Sequence, residues 1–114
     1  MGNLGLALKN LKRLDEAIDV YLEALAIQER SQGKGHPNTA ASLFNLAQLY
    51  RDTDRFDLSA EYFEQVIQVD EKSLGAEHPY VADDLEEFAK LRRRMGMDAA
   101  ADELEARVKA IRGE

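Results

Sequence analysis

The chain repeats itself, and the repeat length decides what it can fold into. The stretch SQGKGHPNTAASLFNLAQLY at 31–50 lines up with SLGAEHPYVADDLEEFAKLR at 73–92, placing His36-Pro37 and His78-Pro79 42 residues apart. The same offset pairs Asn3 with Asn45, Leu4 with Leu46, Arg13 with Arg55, Asp15 with Asp57, Glu29 with Glu71 and Gly33 with Gly75. Carried onward it pairs Leu43 with Leu85, Ala47 with Ala89, Leu49 with Leu91 and Val66 with Val108. A period of this size is the signature of a stacked array, in which each unit buries an apolar face against its neighbours.

Apolar residues within a unit recur three and four apart, as in Leu43, Leu46, Ala47 and Tyr50, then Phe56, Ala60, Phe63 and Ile67, which is helical rather than strand spacing. Pro37 and Pro79 fit a first helical turn, where the missing N–H is not needed, and Gly33 and Gly75 fit just past a helix end. These signals predict helices at about 2–11, 14–32, 37–52, 55–74, 79–95 and 98–112. Composition agrees: Ala, Leu, Glu, Lys and Arg make up about half of the residues, as in long helices, while 7 Gly and 2 Pro are too few for a β-sandwich.

The segment HPNTAASLFNLAQLYRDTDRFDLSAEYFEQVIQVDEKSLGAEHP, residues 36–79, resembles the tetratricopeptide repeat in its 42-residue, kinesin-light-chain-like form. The resemblance runs over essentially the full chain. It implies an all-α, right-handed superhelical solenoid of three stacked antiparallel helix pairs, with the first helix truncated. One domain, 1–114, then contains units at about 1–36, 37–78 and 79–114. The small positions where paired helices approach closely map to Gly5, Ala47 and Ala89 on first helices and to Ala17, Ser59 and Ala101 on second helices. Large core positions map to Leu4, Leu46 and Phe88, to Leu14 and Phe56, and to Tyr21 and Phe63. In the last unit Arg92, Glu105 and Lys109 stand where unit two has Tyr50, Phe63 and Ile67, the polar outer face that a terminal repeat requires.

The functional expectation is a non-enzymatic interaction module. A net charge of −7 disfavours nucleic acid, and the absence of cysteine removes thiolate chemistry and cysteine-ligated metal. No apolar stretch is long enough to span a bilayer or serve as a signal peptide, so no membrane association and a cytoplasmic location are expected. No metal or cofactor is expected. His36 and His78 read as punctuation between repeats. Carboxylate pairs such as Asp83 with Asp84 and Glu86 with Glu87 read as solvated helix-surface groups. The acid-to-base run along the third unit, Asp83 to Arg94, complements a helix macrodipole and offers Glu86 with Lys90 as an i, i+4 pair.

By the resemblance, a partner peptide lies on the concave face formed by first helices. The candidate groove residues are Asn3, Leu6, Lys9, Phe44, Asn45, Gln48, Arg51, Glu87 and Lys90. Asn3 and Asn45 occupy equivalent sites and can pair with a peptide backbone through both donor and acceptor, and Phe44 is the apolar anchor. Family members that clamp a carboxyl-terminal tail use two lysines, two asparagines and an arginine where this chain has Gly2, Leu6, Asn45, Asp83 and Glu87; only Asn45 fits, and two acids stand where bases are needed, so that ligand is disfavoured. The alternative is a structural or self-associating C-terminal fragment of a larger array without its own ligand. Weak self-association through the N-terminal edge is expected because Leu4, Leu8 and Leu11 lack part of their cover, leaving Tyr21 and Leu25 partly exposed.

Overall fold

The computed structural model describes the backbone of residues 2–114 and the side chains of residues 12–114. It contains five α-helices: α1, Gly2–Gln32; α2, Ala40–Asp52, entered through a 3-10 turn at Pro37–Thr39; α3, Phe56–Leu74; α4, Pro79–Arg94; and α5, Asp98–Arg112. No strand occurs among the described residues. Neighbours in sequence are neighbours in space, α1 on α2, α2 on α3, α3 on α4 and α4 on α5, and α2 also touches α4 one unit along. This is the all-helical stack that the 42-residue period predicts.

The break expected inside the first unit is absent, and α1 is one continuous helix where two were predicted. In the other units the turn depends on one left-handed residue, Asp54 at φ 61° and Gly96 at φ 78°. The following amide then reaches back to a carbonyl near the helix end, Arg55 N to Tyr50 O and Met97 N to Arg92 O, both 2.8 Å. The repeat register puts Lys12 at the same point. Lysine favours helix and gains nothing from the left-handed conformation that Asp and Gly tolerate, so the local sequence propagates the helix.

The His-Pro pairs act as helix caps. Nδ1 of His36 accepts from the Asn38 amide and Nδ1 of His78 from the Tyr80 amide, each at 3.1 Å, while Pro37 and Pro79 open the turns that follow. Each imidazole therefore satisfies an N–H with no partner inside its helix. His78→Ala is expected to lower stability by about 1 kcal/mol, the usual effect of losing a cap, measurable as a shift in the urea midpoint.

The mapped small residues of units two and three carry the helix crossings. Ala47, Ser59 and Ala101 are completely buried and Ala89 nearly so, and the Ser59 hydroxyl donates to the Ala47 carbonyl at 2.6 Å. Ala17, their counterpart on α1, is half-buried. Large side chains fill the space around the crossings: Phe63, Leu46, Leu85, Leu91, Val66 and Val81 have essentially no exposure. Phe63 stacks on Phe88 at 5.6 Å between ring centres and meets Phe44 edge-on at 6.2 Å, joining unit two to unit three. On α5 Val108 is buried with Leu104 and Ile111 packed beside it, whereas Asp102, Glu103 and Lys109 face water, as expected of a closing helix. Of the residues expected to lack cover, Tyr21 is half-buried and Leu25 is buried; Leu4, Leu8, Leu11 and Gly5 lie outside the described side chains.

Candidate functional site

Three of the predicted groove residues, Asn3, Leu6 and Lys9, lie outside the described side chains. The other six sit on α2 and α4, which touch one unit apart. Three of them converge on the carboxylate of a fourth. Glu87 Oε1 accepts from Arg51 Nη1 at 3.0 Å and from Gln48 Nε2 at 3.3 Å, while Lys90 Nζ donates to Oε2 at 2.8 Å. The same Arg51 nitrogen also donates to the Glu87 carbonyl, and its guanidinium lies 5.8 Å from the centre of the Phe63 ring. Burial pushes the Glu87 carboxyl up, and the bonds from Lys90, Arg51 and Gln48 more than offset it, leaving the group below its usual range.

Sequence spacing brought these residues to one face but could not show that they engage each other. The Arg51 side chain is 12% exposed and that of Glu87 16%, against 60% for Lys90. Arg51 and Glu87 therefore tie α2 to α4, which corrects the reading of Glu87 as a solvated surface group. Only Lys90 retains the exposure of a rim contact. Asn45, one helical turn before Gln48, is half-buried.

Charge on α4 is similarly committed across helices. Arg112 of α5 binds Glu86 at 2.8 Å and Asp83 at 3.0 Å, Arg93 binds Asp102 and Glu105, and Arg94 binds Asp54. The hydrogen bond from Arg112 holds Glu86 below the usual carboxylate range. The i, i+4 contact between Glu86 and Lys90 is replaced: Glu86 turns to Arg112 and Lys90 to Glu87. Arg93 is exposed, so water and salt screen its acidic partners. Arg93→Ala is expected to leave the thermal midpoint nearly unchanged, a result that denaturation at low and at high salt would show.

Phe44 has a different setting. It lines a cleft of about 440 Å³ between α2, the C-terminal end of α3 and the N-terminal end of α4. The apolar walls are Ala40, Ala41, Phe44, Val66, Leu74 and Tyr80, and the polar groups include Asp70 and Asp84. Tyr80 is 61% exposed at the mouth. Asp70 and Asp84 are 7% and 4% exposed, which corrects the reading of Asp84 as a solvated surface group; its neighbour Asp83 is indeed exposed. Burial, then the hydrogen bond to Asp70, then the charges of Asp70 and Asp83, push the Asp84 carboxyl up to about 9. The pair thus carries a proton at neutral pH, and Oδ2 of Asp84 has no hydrogen-bond partner among the described residues.

Sequence reasoning missed this pair, although the register contained a pointer. One period earlier the same two positions are Gln28 and Ser42, and the Ser42 hydroxyl donates to Gln28 Oε1 at 3.0 Å. A neutral pair joins adjacent units there; two carboxyls stand in its place between α3 and α4. Among the described residues no group of three or more potential ligands is placed to hold a metal ion, and no helix is long and apolar enough to cross a membrane.

Comparison with known proteins follows the same lines. The sequence profile of the tetratricopeptide repeat matches residues 1–72. Two crystal structures of nearly identical TPR-like repeats from Podosopora anserina, one of them of a point variant, come from a protein described as a kinesin light chain. Each superposes with a TM-score of 0.79 at 28% identity, covering 96% of this chain and 53% of the other. The chain therefore spans about half the length of these structures. No curated protein matches it.

Proposed function

Because this chain belongs to the tetratricopeptide repeat family, whose members are typically non-catalytic interaction modules, we propose that it binds a peptide segment of a protein partner along the face formed by α2 and α4. The observation that carries this reading is the cleft beside Phe44. It is concave, apolar in its walls, polar at a few points and open at the mouth, the usual make-up of a binding site. Phe44 is the anchor; Asn45, one residue on, offers a donor and an acceptor to the peptide backbone; Lys90 supplies a rim charge. Arg51, Gln48 and Glu87 act indirectly by fixing the spacing of α2 and α4.

The test is affinity capture of a partner, followed by titration of variants. Phe44→Ala is expected to weaken binding about tenfold, or about 1.4 kcal/mol, and Asn45→Ala comparably. Lys90→Ala should change affinity less and mainly alter its salt dependence, as exposed rim charges do. The reading fails if a captured partner binds undiminished to the Phe44→Ala, Asn45→Ala double variant while Glu61→Lys on α3 abolishes binding.

One observation favours the self-associating alternative. Val20 and Ile27, seven residues apart on one stripe of α1, are 65% and 52% exposed. Weak dimerisation through α1 is the expected result of this surface, and sedimentation that stays monomeric at millimolar concentration would exclude it.

A further inference from the structure

Resting on the groove reading above, we propose that the Asp70–Asp84 end of the cleft seats one basic side chain, lysine or arginine, of an otherwise apolar partner segment. Two independent features of the site point to this occupant. The first is Asp84, more than nine-tenths buried at the edge of an open cleft, whose Oδ2 meets no donor among the described residues beyond the proton that the pair itself shares. Buried polar atoms in native proteins nearly always have partners, so a donor supplied from outside is the natural complement. The second is the contrast with the preceding unit, where Gln28 and Ser42 join the helices with a neutral hydrogen bond. Two acids in that position put a negative charge where the preceding unit has a neutral pair.

The shape of the cleft selects the kind of cation. A lysine or arginine has a long aliphatic stem and a charged head. Phe44, Val66 and Leu74 would cover the stem while the head meets the carboxyls. A bare divalent ion fits poorly, since calcium needs six to eight oxygens and magnesium six, and the described residues bring no third ligand to Asp70 and Asp84. Asp83, the remaining acid at the mouth, is already held by Arg112 of α5.

Entry of a cation favours the doubly ionised pair, so the occupant displaces the proton held by Asp84. The groups facing that carboxyl are Asp70 from α3, Asp83 and Tyr80 from α4 and, through Asp83, Arg112 from α5. From α2 and the turn before it, only Pro37, Ala40, Ala41 and Phe44 reach the cleft, and none of these titrates. Affinity should accordingly rise with pH toward about 9, where Asp84 loses its proton unaided.

A random heptapeptide display library, selected in parallel on the wild-type chain and on Phe44→Ala, Asp84→Asn and Asp70→Asn/Asp84→Asn variants, tests this. The wild-type chain should enrich peptides with one Lys or Arg flanked by apolar residues. The double variant should keep the apolar preference and lose the basic one about tenfold, and Asp84→Asn, nearly isosteric and free of the shared proton, should lose part of it. For the best selected peptide, affinity should rise between pH 6 and pH 8 on the wild-type chain and stay flat on Asp84→Asn. Apolar peptides enriched through Phe44 without any basic preference, a basic preference that survives in the double variant, or a pH-independent wild-type affinity would overturn the inference and leave the groove reading standing. Enrichment that is indifferent to Phe44→Ala would overturn the groove reading itself.

Discussion

Ala47→Leu is expected to lower stability by about 2–4 kcal/mol. Ala47 sits at zero exposure where α2 crosses α3, and its carbonyl receives the Ser59 hydroxyl at 2.6 Å. A leucine there must push α3 outward. Overpacking a close contact costs roughly 1–3 kcal/mol, and a buried hydroxyl left without its acceptor adds about another 1–3, partly relieved by movement. Ala76, exposed in the turn before His78, provides the control: Ala76→Leu should stay within about 0.5 kcal/mol. Urea titrations of the two variants compare the sites directly, and equal midpoints would show that the crossing does not depend on a small residue. Ser59→Ala combined with Ala47→Leu separates the two contributions, since residues in contact are not additive.

Asp84→Asn is expected to stabilise the protein, by an amount that grows with pH. The Asp84 carboxyl ordinarily titrates at 3.8 and is pushed up to about 9 in the fold. Below the lower value both folded and unfolded chains hold the proton, so the carboxyl imposes no ionisation penalty. As pH rises through the window between the two values, the unfolded chain releases that proton while the folded chain must retain it, and stability falls by up to about 1.4 kcal/mol per pH unit. Above about 9 the penalty is constant. Asparagine does not titrate and can donate to the Asp70 carboxylate. The difference between variant and wild type should therefore be near zero at pH 4 and reach about 2–3 kcal/mol at pH 7, allowing for relaxation of the site. Taking the difference cancels the opposite contributions of Glu86 and Glu87, which lie below their usual range in the fold and favour it as pH rises. A pH-independent difference would mean that the two carboxyls do not share a buried proton. A gain of this size would also show that the acidic pair is retained at a cost to stability, as a binding site can be.

The charge arrangement on α4 shows how far local rules reach. Spacing alone pairs Glu86 with Lys90 in one helix, an interaction of a few tenths of a kcal/mol. Arg112 arrives from α5 and takes Glu86, while Lys90 turns to Glu87, which Arg51 of α2 also binds. Asn45 is half-buried, and its counterpart Asn3 falls among the residues whose side chains are not described.

The features legible along the chain are those governed by the 42-residue period and by short-range chemistry. The helix limits of units two and three, the His-Pro caps, the small residues at the helix crossings and the split of α5 into buried Val108 and exposed Lys109 all depend on residues within a few turns of each other or on the repeat offset. The continuous first helix follows local chemistry as well, since nothing at Lys12 favours the left-handed turn made by Asp54 and Gly96. The remaining features appeared only once the helices were packed. Arg51 and Glu87 bind each other across 36 residues of sequence, and Asp84 is buried while Asp83 stays in water. Two adjacent acids on a helix look alike in sequence; which one is desolvated depends on what α3 places opposite it, and desolvation is what turns a surface carboxylate into a proton-holding site.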